Sequence, residues 1–281
     1  MALDALVYNK PMSQEGAQNP LPFGAGTRWV FGGLTLIRRQ PLRLMVLGLV
    51  LQLIAGFSQI GVLGLLFILA IPAFTAGMLQ GVHTVGQGER PSLLALFTAF
   101  SEPSRLGRLL LIGAIGLACM ILAAAFALAG SVDMLDPALI TRIEAGEVEA
   151  VAELDPVFIQ RVLFGLVLGL LLGGCLSFYA VPLVWFSNQS LGRAIALGLL
   201  GMLRQWRALT MMGLVLGVLS IPVAVLTAFV LTAQMAQGSV SPVLSLLMLL
   251  TGVAYQLLLF STQYASYRAI FGGTPQVQLV A

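Results

Sequence analysis

The sequence is poor in charged residues. They make up 9% of its 281 residues, whereas soluble domains contain about 25%. Hydrophobic residues make up 59%, and the mean hydropathy is +0.99. A chain of this composition cannot cover a globule with polar surface, so it is expected to be an integral membrane protein. The net charge of +3 does not indicate a nucleic-acid partner, because most basic residues stand beside apolar segments.

Cysteine and histidine are scarce as well. Cys119 and Cys175 lie within apolar segments, and two cysteines with one histidine cannot form a four-ligand zinc site. Apart from Arg43 at the start of the first, the predicted membrane spans contain no Asp, Glu, Lys, Arg or His. Proton-coupled transporters and intramembrane hydrolases usually need such groups at membrane depth. We therefore expect no catalytic residue, no metal and no cofactor, and an enzyme is the least favoured class.

The apolar segments predict an all-α polytopic membrane protein with six transmembrane helices, paired as three hairpins. A spanning helix needs about 20 apolar residues. The first segment is short, and only the stretch SQIG separates it from the second, so a re-entrant hairpin over 42–79 is an alternative. The predicted spans are 42–57, 60–79, 109–130, 162–187, 208–232 and 243–263.

The basic residues predict the orientation. With the amino terminus in the cytosol, all Lys and Arg residues except Arg142 and Arg161 lie in cytosolic segments. The acidic outer loop, 131–160, carries seven acidic residues against Arg142. Both termini are therefore predicted to be cytosolic. Residues 1–26 are expected to form a mobile tail, 27–271 the membrane domain, and 272–281 a second tail.

An amphipathic stretch precedes each outward span, at 27–39, 91–100 and 190–204, and each is predicted to be a cytosolic interfacial helix. In the second stretch, Leu93, Leu96, Phe97 and Phe100 fall on one helical face. An arginine and then a glycine follow in each case: Arg43 and Gly48, Arg108 and Gly113, Arg207 and Gly213. This pattern predicts a threefold internal repeat, which duplication of a hairpin would explain and which transporters also contain.

Residues 28–41, RWVFGGLTLIRRQP, with the following LRLMVLGLVLQL, resemble the opening of a family of proteobacterial inner-membrane proteins of uncharacterised function. The plan of interfacial helix plus hairpin is more distantly similar to the membrane domain of some glycerophosphodiester phosphodiesterases. No catalytic domain of those enzymes is recognisable, so their activity is not implied. The first resemblance implies a bacterial inner membrane and six helices, but no reaction.

Two predicted spans that run from outside to inside end in similar sequences, FSNQ and FSTQ. Their amides and hydroxyls are therefore expected at one level on the cytosolic side. One interpretation is a membrane exit, in which amides cap helix ends, arginines meet lipid phosphates, and Trp29, Trp185, Trp206, Tyr264 and Tyr267 form an aromatic belt. The other is a pocket for a lipid headgroup or a small polar solute. The candidate polar cluster is Gln80, His83, Asn188, Gln189, Thr262 and Gln263, and the candidate lipid-phosphate contacts are Arg43, Arg108, Arg207 and Arg268.

Three further patterns predict local features. Gly165, Gly169 and Gly173 form a smooth helix face that favours close packing, against the same chain or another copy. The Asp-Pro pairs at 136–137 and 155–156 predict helix starts in the outer loop. That loop is interpreted as a solvated acidic cap, with a docking face for a basic partner as the alternative. His83 is interpreted as an interfacial residue, with proton transfer as the alternative.

Together these patterns predict a non-enzymatic inner-membrane protein. It is expected to bind membrane lipids, anionic ones in particular, or to act as an accessory or envelope-homeostasis factor for a partner membrane protein. The alternative is a transporter or channel for a neutral or amphipathic solute, with Pro72 and Pro182 as bends. A continuous polar cavity from Gln52, Tyr255 and Gln256 to Gln263 would favour that alternative.

Overall fold

The computed structural model describes residues 20–56, 61–129, 137–145, 147, 150, 153–237 and 241–272. All regular structure in these ranges is helical, which confirms the predicted all-α class. The helices are α1 (Gly24–Arg39), α2 (Pro41–Gly56), α3 (Gly61–Gly86), a 3₁₀ helix (Leu93–Ser101), α4 (Pro103–Leu128), α5 (Pro137–Glu144), α6 (Pro156–Ser187), α7 (Leu191–Arg204), α8 (Trp206–Gln237) and α9 (Pro242–Phe271).

Five of these helices, α3, α4, α6, α8 and α9, are long and apolar enough to cross a membrane. The helix at the first predicted span, α2, has 16 residues. At 1.5 Å per residue it is about 24 Å long, which is less than the roughly 30 Å of a bilayer's hydrocarbon core. Length and composition therefore support five of the six predicted spans. The remaining one, the first predicted span at 42–57, is not confirmed.

Several helices extend beyond the predicted segments. α3 continues to Gly86 rather than ending at 79, and α9 continues to Phe271 rather than ending at 263. At the amino-terminal side, α1 begins at Gly24, so its first residues fall within the segment predicted as a tail. Residues 1–19 and 273–281 of the two predicted tails lie outside the described residues.

Most of the buried core lies at one end of the helices, where α1, the 3₁₀ helix and α7 lie across them; we call this the capped end. The central helix is α3, because half of its apolar stretch is buried, compared with 11% in α8. Large side chains from four other elements complete this core, including Trp29, Leu44, Leu96 and Leu183, each at most 6% exposed. The capped end is thus the tightly packed part of the protein.

α1 lies across α8 and α9 at direct backbone contact. Gly26 faces the backbone of Ala208 and Met212 in α8. About two helical turns later, Gly33 faces α9, and a Cβ on Gly33 would lie 2.8 Å from the backbone nitrogen of Thr262. Glycine removes the side chain that would otherwise hold these helices apart. The first of the described helices is therefore packed against the last two of them.

The other two crossing elements each contact a long helix in a comparable way. Gly77 of α3 faces the backbone of Leu96 in the 3₁₀ helix, and Gly198 of α7 faces Tyr179 of α6, with a hypothetical Cβ 3.3 Å from the tyrosine Cβ. α1, the 3₁₀ helix and α7 thus cross α9, α3 and α6 respectively.

The amphipathic stretch at 91–100 forms a 3₁₀ helix instead of the predicted α-helix. Ser92 caps it, since its Oγ accepts a hydrogen bond from the Leu94 nitrogen at 3.2 Å. A 3₁₀ helix has three residues per turn, so Leu93 and Leu96 share one side of it, and Phe97 and Phe100 share another. Leu96 is buried, while Leu93, Phe97 and Phe100 are exposed. The single apolar face predicted for these four residues is wrong.

Candidate functional site

The ends of α3, α6 and α9 meet at the capped end, and one side-chain hydrogen bond joins each pair. Trp185 Nε1 of α6 donates to Gln80 Oε1 of α3 at 3.0 Å. Tyr264 Oη of α9 lies 2.6 Å from His83 Nδ1 of α3. Ser187 Oγ of α6 lies 2.7 Å from Tyr267 Oη of α9. We call these six side chains the polar triangle.

Phe186 packs against three of the six polar-triangle side chains. Its ring centroid is 5.2 Å from that of His83, 5.9 Å from that of Tyr264 and 5.6 Å from that of Tyr267. Such separations are typical of attractive aromatic pairs. The three helix ends are therefore held by ring packing as well as by hydrogen bonds.

The position of the Tyr264 proton follows from its neighbours. Arg268 Nη1 donates to Tyr264 Oη at 3.2 Å. Because that bond uses the phenol oxygen as an acceptor, the phenol proton is available to the Nδ1 atom of His83. This arrangement favours a neutral imidazole that carries its proton on Nε2. The chain Arg268–Tyr264–His83 leads from an exposed guanidinium to a partly buried ring.

The candidate polar cluster is distributed over three places. Gln80 and His83 belong to the polar triangle. Asn188 and Gln189 follow α6, where they bind Arg108 of α4: its Nη1 donates to the Gln189 carbonyl at 2.6 Å and to the Asn188 carbonyl at 3.2 Å, and its Nη2 donates to Asn188 Oδ1 at 2.5 Å. Asn188 has a φ of 49° and ends the helix.

Thr262 and Gln263 lie inside the protein rather than at a helix end. Gln263 Nε2 donates to the Phe178 carbonyl of α6 at 2.6 Å. The Thr262 hydroxyl lies against Gly33 of α1. Two buried hydroxyl groups make no hydrogen bond within the described part of the chain: those of Ser261 and Thr262. FSTQ therefore contributes to a packed interior rather than to a membrane exit.

The structure differs most from the predicted aromatic belt. Trp29, Trp185, Tyr264 and Tyr267 are each at most 6% exposed, whereas Trp206 is 55% exposed. Trp185, Ser187, Tyr264 and Tyr267 are the polar-triangle residues that the sequence did not mark as site candidates. The sequence signal available was their place in the segments around FSNQ and FSTQ.

The candidate lipid-phosphate contacts have different surroundings. Arg43 is exposed, and its Nη1 donates to the Pro91 carbonyl at 3.4 Å. Arg207 is exposed, and its guanidinium carbon lies 5.7 Å from the centre of the Trp206 ring. Arg268 bonds Tyr264, and the guanidinium of Arg108 binds the end of α6. Arg43 and Arg207 are thus more available to a lipid than Arg108.

The glycine stripe of α6 faces α4 of the same chain. A Cβ on Gly165 would lie 2.8 Å from that of Ala127, and one on Gly169 would lie 2.8 Å from the Met120 Cα. The two helices are further apart at Gly173, where an added Cβ would lie 3.4 Å from the Gly116 Cα. The stripe thus contributes to packing between α4 and α6.

The polar residues in the middle of the helices bond to neighbouring helices. Gln52 Nε2 of α2 donates to Gln256 Oε1 of α9 at 3.1 Å. Tyr255 Oη of α9 donates to the Leu216 carbonyl of α8 at 3.1 Å. Such contacts contribute about 0.6 kcal/mol each in a membrane bundle.

The predicted outer loop forms ion pairs of its own. Arg142 donates from Nη1 and Nη2 to the two carboxylate oxygens of Glu153 at 2.8 and 3.0 Å, and from Nε to Glu147 at 2.8 Å. These bonds raise the pKa of Arg142, with Glu153 the larger cause. Asp155 caps α6, since its Oδ1 accepts from the Val157 nitrogen at 2.7 Å, as the Asp-Pro pair predicts. Asp136 lies outside the described residues.

The chemistry available at the capped end is hydrogen bonding, ring stacking and positive charge. No group of three or more His, Cys, Asp or Glu side chains comes together in the ranges that the structure describes. No protein-family model, curated protein or solved structure matches this chain. The resemblance found at residues 28–41 accordingly stays a prediction.

Proposed function

We propose that this chain is a non-enzymatic protein of the bacterial inner membrane that binds anionic phospholipid at its capped end, facing the cytosol. One observation carries the proposal. At the capped end, the described part of the chain holds eleven arginines against Glu89 and Glu102. The arginines are Arg28, Arg38, Arg39, Arg43, Arg90, Arg105, Arg108, Arg193, Arg204, Arg207 and Arg268.

Charge of this sign and density suits the cytosolic surface of a membrane. A basic residue close to an anionic bilayer contributes about 1 kcal/mol to binding. Helices lying across the ends of the spans would hold these arginines at the depth of the headgroups. As an accessory or envelope-homeostasis factor, the protein would bring a partner membrane protein together with such lipids. The transporter alternative has less support, because the polar side chains Gln52, Tyr255 and Gln256 bond to neighbouring helices.

The proposal includes six crossings, with both termini in the cytosol. α2 starts beside Pro91 at the capped end, and α3 returns there, since Leu36 packs against Gly86. α2 must therefore carry the chain back towards the start of α3. Its length of about 24 Å is about 15 Å less than the roughly 39 Å length of α3. A bilayer thinned by several ångströms around α2 would complete the crossing.

Thiol labelling tests this topology. In a chain with Cys119→Ala and Cys175→Ala, a membrane-impermeant maleimide added outside intact spheroplasts should label Ser58→Cys and Glu147→Cys. It should label Arg207→Cys only after the membrane is opened. A re-entrant α2–α3 hairpin would leave Ser58→Cys unlabelled from outside while Glu147→Cys reacts. Labelling of Arg207→Cys from outside would reject the proposed orientation.

Lipid selectivity tests the function itself. In nanodiscs containing phosphatidylcholine and phosphatidylglycerol, the protein should retain the anionic lipid preferentially, as native mass spectrometry would detect. Arg43→Gln combined with Arg207→Gln should reduce this enrichment about five- to tenfold, because two of the most available cations are removed. The matched control, Arg142→Gln with Arg161→Gln at the opposite end, should retain it. Absence of enrichment in the unaltered protein would reject the proposed function.

A further inference from the structure

Four arginines converge where α1, α2 and the segment before the 3₁₀ helix meet. Arg38 and Arg39 end α1, and Arg43 lies in the first turn of α2. Arg90 precedes Pro91, whose carbonyl accepts the hydrogen bond from Arg43. Leu36 packs against Gly86 at the end of α3, which brings the end of α1 to the same place. We call Arg38, Arg39, Arg43 and Arg90 the arginine junction.

No carboxylate in the part of the chain that the structure describes forms an ion pair with the arginine junction. All four side chains are exposed. Among the described residues, the ion pairs are those of Arg105 with Glu102 and of Arg142 with Glu147 and Glu153. Glu89 is the nearest carboxylate in sequence, and it pairs with none of the four. The junction is therefore a concentrated positive surface that is available to an anion.

An exposed apolar surface lies next to the arginine junction. On α2, Leu42 and Leu53 are 80% and 67% exposed, and Val46 lies on the same helical face between them. The 3₁₀ helix, which contacts α2, adds the exposed Leu93 and Leu94 directly after Arg90 and Pro91. A molecule with an anionic head and long apolar chains would match both surfaces at once.

We propose that the arginine junction binds a phospholipid with two phosphate groups, whose acyl chains lie along α2 and the start of the 3₁₀ helix. This inference rests on the proposed function and locates the lipid. A lipid with one phosphodiester carries one negative charge against four guanidinium groups. Two phosphates bring two charges, and each phosphate can accept paired hydrogen bonds from a guanidinium. Arg43 donates one hydrogen bond, from Nη1 to the Pro91 carbonyl, and its guanidinium has further donors for a phosphate.

The test compares two sets of three arginines from the same end of the protein. The junction variant carries Arg38→Gln, Arg43→Gln and Arg90→Gln. The matched control carries the same change at three exposed arginines that lie away from the junction and are not candidate lipid contacts: Arg28, Arg193 and Arg204. Each protein is placed in nanodiscs with equal amounts of cardiolipin, phosphatidylglycerol and phosphatidylcholine, and its retained lipids are counted by native mass spectrometry.

The unaltered protein should retain cardiolipin above phosphatidylglycerol. The junction variant should lose about tenfold in cardiolipin occupancy, while the control should stay within about twofold of the unaltered protein. Should the junction variant fail to fold, Arg43→Gln with Arg90→Gln replaces it, and thermal unfolding shows that both proteins compared are intact. That double variant should lose about fivefold in occupancy.

Other outcomes separate the two proposals. An equal effect of both sets, or no effect of either, overturns the arginine junction as the site while anionic selectivity stands. Equal retention of cardiolipin and phosphatidylglycerol overturns the preference for two phosphates. If the unaltered protein retains the neutral lipid as well as the anionic ones, the proposed function fails, and this inference fails with it.

Discussion

Alanine in place of Gly113 should lower the free energy of unfolding by about 1–3 kcal/mol, the usual cost of an oversized side chain in a packed interface. Gly113 of α4 lies against the backbone of Leu69 in α3. A Cβ there would lie 2.9 Å from the Leu69 carbonyl carbon and 3.0 Å from its Cα. A backbone cannot rotate away as a flexible side chain can, so α3 and α4 would have to separate along their length.

Thermal unfolding of the purified protein in detergent would measure this effect. The matched control is Gly107→Ala on the same helix, because a Cβ on Gly107 would meet nothing within 4 Å. Alanine favours the helix over glycine by about 0.5–1 kcal/mol, so the control should be as stable as the original protein or slightly more so. If both variants lost stability equally, the close approach of α3 and α4 would be wrong.

Glutamine in place of Arg108 should have the second large effect, a loss of about 1.5–3 kcal/mol, as expected when hydrogen bonds to a charged group are removed. The guanidinium binds two backbone carbonyls and one side-chain oxygen at the end of α6. A positive charge at the carboxyl end of a helix is also favourable to the helix dipole. Without the Arg108 guanidinium, the carbonyls of Asn188 and Gln189 lose a hydrogen-bond donor. The contact between α4 and α6 then weakens at the capped end.

The nearby Arg105→Gln variant is the control for Arg108. Arg105 pairs with Glu102 at 3.0 Å and lies 5.2 Å from the Trp185 ring centre. An exposed ion pair of this kind contributes about 1 kcal/mol or less. Arg108→Lys should not restore stability, because an ammonium group lacks the fork that reaches several oxygens together. If Arg108→Gln lowered stability only when anionic lipid is supplied, Arg108 would be a lipid contact rather than a link between helices.

The positions of the helices could be predicted because they depend on local sequence. Long apolar segments favour membrane helices, and the pair Asp155–Pro156 specifies a helix start that the structure contains. The ends were harder to predict. The first polar residues after an apolar segment are predicted to be membrane exits, yet Gln80 and Gln263 have partners inside the protein and their helices continue.

The similar segments FSNQ and FSTQ show why the candidate site was only partly predictable. After α6, Asn188 adopts a left-handed conformation with a φ of 49° and ends the helix. At the same place in the other segment stands Thr262, a β-branched residue that is costly to place in that conformation, and α9 continues to Phe271. Asn188 therefore suits a helix end and Thr262 does not, which agrees with Gln189 at the end of α6 and Gln263 inside the bundle.

The polar triangle depends on which helix ends meet, and local sequence does not contain that information. Trp and Tyr near the end of a membrane helix usually lie at the lipid interface, which is why a belt was predicted for Trp185, Tyr264 and Tyr267. Their burial requires α3, α6 and α9 to converge. The bond from Trp185 to Gln80 joins residues 105 positions apart, and the bond from Tyr264 to His83 joins residues 181 positions apart.

The crossing of α1 over α8 and α9 has a consequence for the order of events during synthesis. The ribosome synthesises α1 before α8 and α9, the two helices against which α1 packs. Between Arg39 and Trp206 it must add the intervening helices, which at about 5–20 residues per second takes roughly 10 to 30 seconds. During that time α1 has neither Ala208 nor Thr262 to pack against. Because α1 is amphipathic, it can lie on the membrane surface during this time. Its packing against α8 and α9 then completes the helical bundle once both helices have been synthesised.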